Sequence, residues 1–399
     1  MTTTPLRRSI GASVALAASL TLSGSLVASA TAEPAPSAST GAAAAAANYL
    51  EEQLAAGGDH FSVEVGGASY ADHGVTADAV LALAAAGTGQ SAAAKATTFL
   101  ADTAEDYITF GTPGDVASGS VAKLLNVAIV QGLDPRDVGG YDLVETLESL
   151  ETEAGRFSDD SSWDDYSNVL GQSLALVGLQ RVGVEPSAAA VDFLEAQQCP
   201  GGGFQLYMDA PCTDDADSDP DATAFAVQAL IAVEGDEGVV EAALDFLAAK
   251  QGADGGLGGG APQTQPNANS TGLAGQAFIA GGRSAEAAMA QQYIADLQYG
   301  CEFPAALRGG IAYDPAAFAD QLAKGADATP IDQDRRSTTQ ALLALAGTPL
   351  YAVTASGASA DAPALECTDE PSAPSTPVVG PVIETDIPTP HTGARGLLR

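Results

Sequence analysis

The stretch Phe193-Leu-Glu-Ala-Gln-Gln-Cys-Pro-Gly-Gly-Gly-Phe204, followed after an acidic loop by Asp221-Ala-Thr-Ala-Phe-Ala-Val-Gln-Ala-Leu-Ile-Ala-Val233, decides the fold. Its first part reads as the end of an amphipathic helix stopped by Pro200 and three glycines, since proline cannot continue a helix and glycine frees the backbone to turn. Its second part is a helix of another kind. From Ala222 to Val233 its polar side chains are Thr223 and Gln228, and a helix apolar nearly all round must be covered on every side. An outer helix therefore feeds an inner one.

Working outward, the pattern recurs. Aromatic or aliphatic pairs that end outer helices stand at Tyr49-Leu50, Phe99-Leu100, near Leu147, and at Phe193-Leu194, Phe246-Leu247 and Tyr293-Ile294, in steps of 50, 47, 47, 53 and 47 residues. Each is followed by a loop and an apolar helix: Thr76 to Ala86, Val121 to Val130, Asn168 to Val177, Ala222 to Val233, Ser270 to Ile279 and Ser337 to Ala346. A fixed period of this length signals stacked helix pairs. Aligning the inner helices places Asp78, Lys123, Gln172, Gln228, Gln276 and Gln340 at one recurring polar position. Such groups either bond a neighbouring backbone carbonyl or line a shared interior. Near-uniform apolarity of the inner set favours closure into a ring, so the expected fold is an all-α toroid of six helix pairs over residues 43–350.

The flanks read differently. Arg7 and Arg8, an apolar run from Ile10 to Val27 and small residues through Ala32 make residues 1–32 a secretory signal, followed by a Pro/Ser/Ala linker at 33–42. No second long apolar run follows, so no membrane span is expected in the mature chain. Residues 351–399 read as an extended Pro-rich tail. It ends Thr389-Pro-His-Thr-Gly393, close to a Gram-positive sorting signal but with no apolar span after it; free secretion is expected, with cell-wall association as the alternative.

The 399-residue chain carries 15 Lys and Arg against 51 Asp and Glu, a net charge of −36 that repels nucleic acid and anionic membranes. Export makes its four cysteines disulfide candidates. Of three pairings we favour Cys199 with Cys212, flanking one loop, and Cys301 with Cys367, tying the C-terminal segment to the body.

These residues resemble the terpenoid cyclase and protein prenyltransferase superfamily, as a secreted actinobacterial-type member. Its repeats have the form Gln-x-x-x-Gly-x-aromatic; Gln198, Gly202 and Phe204 fit it, and Gln251, Gly255 and Leu257 fit it with Leu in the aromatic place. The resemblance implies an alpha/alpha toroid. A prenyltransferase zinc would need Cys and His near the inner helices, and the matching positions hold neither, so no metal or cofactor is expected. A class II cyclase protonates an alkene from the middle Asp of Asp-x-Asp-Asp-Thr-Ala; here Asp219-Pro-Asp221-Ala-Thr223-Ala has Ala222 in the last Asp place. The resemblance implies Asp221, assisted by Asp219, as proton donor in that case.

Other carboxylates invite other chemistry. Alternate acids in Asp214-Asp-Ala-Asp-Ser-Asp-Pro-Asp221 suggest calcium, but an EF-hand begun at Asp215 would need Gly and an acid where Pro220 and Ala226 stand. The bland reading makes Asp221 the helix cap, with Ser120, Ser270 and Ser337 capping theirs. Asp164/Asp165 and Asp332/Asp334 have the composition of a glycosidase acid–base pair. Loops entering the inner helices would face one mouth, with Tyr70, His73, Trp163, Tyr166, Asn168, Thr223, Asn267, Asn269 and Tyr313 at a polar rim and Gln228, Gln276 and Gln340 inside. The expected function is a secreted, non-catalytic binding module for a small or lipid-like ligand. Extracellular vitamin B12 carriers are similar in using the toroid this way, which adds a corrinoid to an isoprenoid as candidate ligand. The alternatives are the cyclase and a cell-surface interaction protein.

Overall fold

The computed structural model describes residues 38–367; the signal-like segment and the sorting-like motif lie outside the described residues. Helices α1 (Ala38–Ala56), α2 (His73–Ala86), α3 (Gln90–Asp102), α4 (Ala104–Thr109), α5 (Ser118–Gln131), α6 (Leu143–Ser149) and α7 (Val169–Arg181) fill the first half. Then come α8 (Ala188–Glu195), α9 (Pro220–Ala232), α10 (Glu237–Lys250), α11 (Ala268–Ala280), α12 (Ser284–Asp296), α13 (Pro315–Lys324) and α14 (Asp332–Ala346). A hairpin of β1 (Ser62–Val65) and β2 (Ala68–Ala71) precedes α2, and short strands β3 (Phe204–Gln205) and β4 (Ser218–Asp219) bracket the acidic loop before α9. Helix α1 begins inside the stretch read as linker.

The inner layer is α2, α5, α7, α9, α11 and α14, each packed on the next, with α14 packed on α2. The ring is closed, and the fold is an all-α toroid. Burial explains the two helix types. In α7 every residue from Gly171 to Leu179 is buried, whereas α3 buries Ala92, Ala93, Ala96, Thr97 and Leu100, one stripe at helical spacing. Small residues let inner helices touch: a side chain at Gly272 would lie 2.7 Å from the Gln340 carbonyl oxygen.

One clamp repeats around the ring. Gly155, Gly202, Gly255 and Gly309 adopt φ of 87, 93, 89 and 86°, a region glycine enters without strain. A side chain on any of them would strike the backbone of the following outer helix, α8, α10, α12 and finally α1. A glutamine amide joins the same partners. Gln198 Nε2 donates to the Gly202 and Val239 carbonyls, Gln251 Nε2 to Gly255 and Glu286, and Gln298 Nε2 to Gly309 and Ala42. The last of these stitches the final repeat onto the first helix. The residue two after each glycine donates its N–H to a side chain on the inner helix: Phe157 to Gln172, Phe204 to Thr223, Leu257 to Thr271 and Ile311 to Thr338.

This register corrects the alignment read from sequence. Gln172 shares its position with Thr223 and Thr271 and points at the outer layer, where its amide donates to the Gly155 and Ala190 carbonyls. Six residues on from the caps Asp72, Ala117, Asn168, Asp219 and Asn267, and two on from the joint-bonding Thr338 in α14, the position facing the ring axis is occupied by Asp78, Lys123, Leu174, Phe225, Leu273 and Gln340. Gln228 and Gln276 lie three residues further along, toward the C-terminal end of the inner layer.

The segment after α14 also differs from an extended tail. Residues 350–362 strap the C-terminal ends of the inner helices: Ala355 N–H donates to Val130 O, Leu350 N–H to Gln228 Oε1, and Arg181 to the Leu350 carbonyl. Val353 is fully buried. Disulfides join Cys199 to Cys212 and Cys301 to Cys367, the latter holding the end of the strap. No helix among the described residues is long and apolar enough to cross a membrane.

Candidate functional site

With the strap at one end, the ring opens at the other, where the N-termini of the inner helices gather. Four of the six are capped by acidic or amide side chains, α5 and α14 starting at Ala117 and Ile331 without one: Asp72 accepts from Val75 N–H, Asn168 from Leu170 and Gly171, Asp219 from Asp221 and Ala222, and Asn267 from Ser270. These satisfy free amides and suit the positive helix ends. Asp219, not Asp221, therefore caps α9, and Ser120, Ser270 and Ser337 do not cap their helices.

A cavity of about 560 Å³ occupies this mouth, walled by Asp72, His73, Tyr107, Phe110, Ser120, Lys123, Asp159, Tyr166, Asn168 and Phe225. A smaller cavity of about 280 Å³ adjoins it through Phe110, Asp159 and Tyr166 and reaches Trp163. Below, Lys123, Leu170, Leu174 and Phe225 are shared with a lumen of about 140 Å³, which Asp78, Asp221, Gln276, Gln340 and Leu350 complete. Mouth and lumen thus form one path.

Three rings crown that path: Phe110, Trp163 and Tyr166 are 73, 79 and 72% exposed. Three bare aromatic rings at one cavity are unusual for a soluble surface and mark a contact site. At the floor, Lys123 Nζ lies 2.7 Å from Asp78 Oδ1, with both side chains largely buried. Burial opposes the lysine's charge, but Asp78 and the Tyr107 hydroxyl outweigh it and raise its pKa. Burial pushes the Tyr107 phenol up to about 12 despite Lys123.

Asp221 is only partly satisfied. Its Oδ1 is buried and has no partner, and Gly259 passes so close that a side chain there would sit 2.7 Å from Oδ2. Burial, then the Asp219 carboxylate, push its carboxyl up to about 6, against a hydrogen bond from Ser270. Gln276, 2% exposed, accepts from Gln228 but leaves its own Nε2 without a partner. Both unpaired atoms carry almost no accessible surface and so lie within the lumen wall.

The remaining expected residues divide by role. Thr223 and Asn267 are buried in the frame, and Gln228 ties Gln276 to the strap. Tyr70 stands on β2, 57% exposed, outside the cavity wall, as do Asn269 and Tyr313. His73 lines the mouth but stacks on Phe99 and Tyr107 at 5.5 and 5.4 Å, its ring nitrogen 3.1 Å from Thr103 Oγ1. Burial lowers its pKa, leaving a neutral ring. Of the two acid–base pairs, Asp165, Asp332 and Asp334 are engaged by neighbouring groups. Asp165 is buried enough to resist ionisation, yet hydrogen bonds from Ser167 and Asp159 N–H, and Arg156 at 3.0 Å, hold it below its ordinary range. Asp334 accepts from the Tyr299 hydroxyl and Ile331 N–H, while Asp332 pairs with Arg336. In the acidic loop, Asp214, Asp215 and Asp219 accept backbone amides, and no metal-binding group of three ligands occurs among the described residues. The sequence reading missed Phe110 and Phe225; Phe225 carried a signal, an aromatic ring on an otherwise Ala-rich inner helix.

No family model matches the chain, and no curated protein matches it. Solved structures do. A protein from Actinoplanes shares 18% identity at a TM-score of 0.55, covering 77% of this chain and 99% of its own. The type II terpene cyclase MstE from Scytonema, in complex with geranylgeranyl dihydroxybenzoate, shares 12% at 0.55, covering 77% and 97%. An unsaturated glucuronyl hydrolase from a Bacillus species, responsible for degrading glycosaminoglycan, shares 11% at 0.52, covering 77% and 96%. At these identities the likeness is one of fold.

Proposed function

We propose that this chain is an exported binding protein whose toroid mouth takes up a small molecule without transforming it. The signal-like N-terminus and two disulfides support export. The observation that carries the binding reading is the 560 Å³ mouth, within the roughly 300–1,000 Å³ range of ligand pockets and rimmed by exposed rings. The lumen where Asp221 lies is far smaller, about 140 Å³. Phe225 is its sole aromatic wall, too little to stabilise a train of carbocations by cation–π contact.

One observation favours a cyclase-like second reading. Asp221, buried, partnerless at Oδ1 and shifted up to about 6, is an acid held ready in the lumen. The experiment treats both. Native mass spectrometry of the chain purified from secreting cells, followed by denaturation, looks for a stoichiometric small molecule, and linear isoprenoids are then incubated with the wild type and Asp221→Asn. A retained ligand with no isoprenoid turnover supports binding. Turnover that vanishes in Asp221→Asn replaces the binding reading with catalysis.

A further inference from the structure

The smaller cavity beside the mouth narrows the ligand class, an inference that rests on the binding reading above. Phe110, Trp163 and Tyr166 all line this space of about 280 Å³, and all three rings are exposed. Phe110 stands there against its backbone's preference. Its φ is 48°, in the left-handed region that suits glycine and strains a bulky residue. A bare ring at such a φ buries little against the fold, and strain of this kind collects where a contact is made. The loop carrying the other two rings is pinned on both sides of Trp163. Asp115 accepts from Ser162 N–H and from the Ser161 and Ser162 hydroxyls, and Asp159 Oδ2 accepts from Tyr166 N–H.

The same two carboxylates set the charge. Asp115 and Asp159 both line the cavity, no lysine, arginine or histidine does, and neither acid joins an ion pair among the described residues. Every donor that holds them is neutral, Asp159 Oδ1 taking the Ser118 N–H and hydroxyl besides the bonds already given. Their acceptor sites are therefore largely occupied while their charge is uncompensated. A primary ammonium or a guanidinium would bring several N–H groups and find few free acceptors. A hydrocarbon would gain the rings and leave the charge unmet. An anion would meet like charge, inside a chain of net charge −36. An alkylated ammonium needs no acceptor, and ring faces and carboxylates attract it together. We propose that this cavity binds a quaternary ammonium group, its cation against Phe110, Trp163 and Tyr166. The space lies just below the roughly 300–1,000 Å³ of a whole ligand pocket, so it takes the head of a molecule whose body lies in the adjoining mouth.

Calorimetric titration of the full mature chain with choline tests this, against dimethylbutanol (its uncharged carbon analogue), ethanolamine, glycine betaine and farnesol. Choline binds, and the uncharged analogue, which keeps the shape and lacks the charge, binds at least about tenfold more weakly. Trp163→Ala weakens choline by about 3- to 30-fold, the span of one cation–π contact. Phe110→Gly weakens it by a similar factor without lowering the melting midpoint, because glycine relieves the left-handed backbone. Equal binding of choline and its uncharged analogue, or selective binding of ethanolamine, betaine or farnesol, overturns the inference while the binding reading stands. Choline binding that Trp163→Ala and Phe110→Gly leave unchanged places the cation elsewhere and overturns the inference as well. Phosphatidylcholine vesicles then distinguish the source: co-sedimentation that choline competes away puts the group on a lipid, and its absence puts the group on a soluble molecule. If no probe binds but native mass spectrometry finds a retained molecule, this inference falls alone; if it finds none, both fall.

Discussion

Gln298→Ala tests ring closure directly. Gln298 Nε2 donates to the carbonyls of Gly309 and Ala42, both at 2.9 Å, and the second belongs to the first turns of α1, 256 residues earlier in the chain. Each such bond is worth about 0.5–1.5 kcal/mol, so losing both costs about 1–3 kcal/mol. Gln251→Ala is the internal standard, because its amide makes the same two bonds, at 3.0 Å each, between repeats that are neighbours in sequence. In a closed ring the two substitutions cost the same. In an open solenoid the Gln298 clamp would hold a terminal helix that frays before the body unfolds. Urea midpoints with the disulfides intact, together with amide exchange over α1, decide the matter. A cost for Gln298→Ala below about 0.5 kcal/mol beside about 2 kcal/mol for Gln251→Ala would refute the closed ring.

Three further outcomes are expected. Gly255→Ala places a side chain against the Met289 carbonyl at a φ of 89°, so it destabilises by at least about 2 kcal/mol in a urea titration. Removing the Cys301–Cys367 disulfide, which closes 66 residues, costs about 4 kcal/mol by loop-closure entropy, against about 3 kcal/mol for Cys199–Cys212 with its 13; paired Cys→Ser variants compared by thermal melting check the order. Asp221→Asn changes the pH dependence of stability. The folded carboxyl titrates near 6 and the unfolded one near 3.8, so between these values the folded chain alone holds the proton and wild-type stability falls as pH rises. The variant lacks that slope and is more stable than wild type at pH 7 by up to about 3 kcal/mol; a difference between the two that stays flat from pH 4 to 7 removes the argument.

The helix pairs were legible because burial is written in composition. Inner helices covered on all sides admit few polar residues, and every inner helix from α2 to α14 stands where its apolar run predicts. The Gln-x-x-x-Gly-x-aromatic spacing was legible at Gln198 and Gln251 for a mechanical reason, since glutamine and glycine lock the same joint. The fourth copy was hidden. Gln298 and Gly309 do the same work across a longer loop, and at the first copy, Gly155, Gln172 reaches the joint from the inner helix instead. Residue type alone misassigned the axis-facing position, because a glutamine facing the outer layer and one facing the lumen look alike in sequence. Helical phase, fixed by which side chain takes the joint N–H, Gln172 in α7 and Thr338 in α14, separates Gln172 from Gln340.

That phase also explains where the protein tolerates unpaired polar atoms. At the joints each clamp amide bonds two backbone carbonyls, although Gln251 Oε1 is itself buried without a partner. Beside the lumen, Asp221 Oδ1 and Gln276 Nε2 are likewise buried and unmatched, at a cost of about 1–3 kcal/mol each. An alanine or leucine at either place would fold more stably, as the neighbouring Leu174 and Leu273 do at the axis. Local conflicts of this kind, set inside an otherwise consistent sequence, collect where structure serves something besides stability. The acid freed by Asp219 taking over the cap is the clearest of them. Since Asp219 already caps α9, Asp221 is not needed as its cap, and its buried carboxylate destabilises the fold at neutral pH.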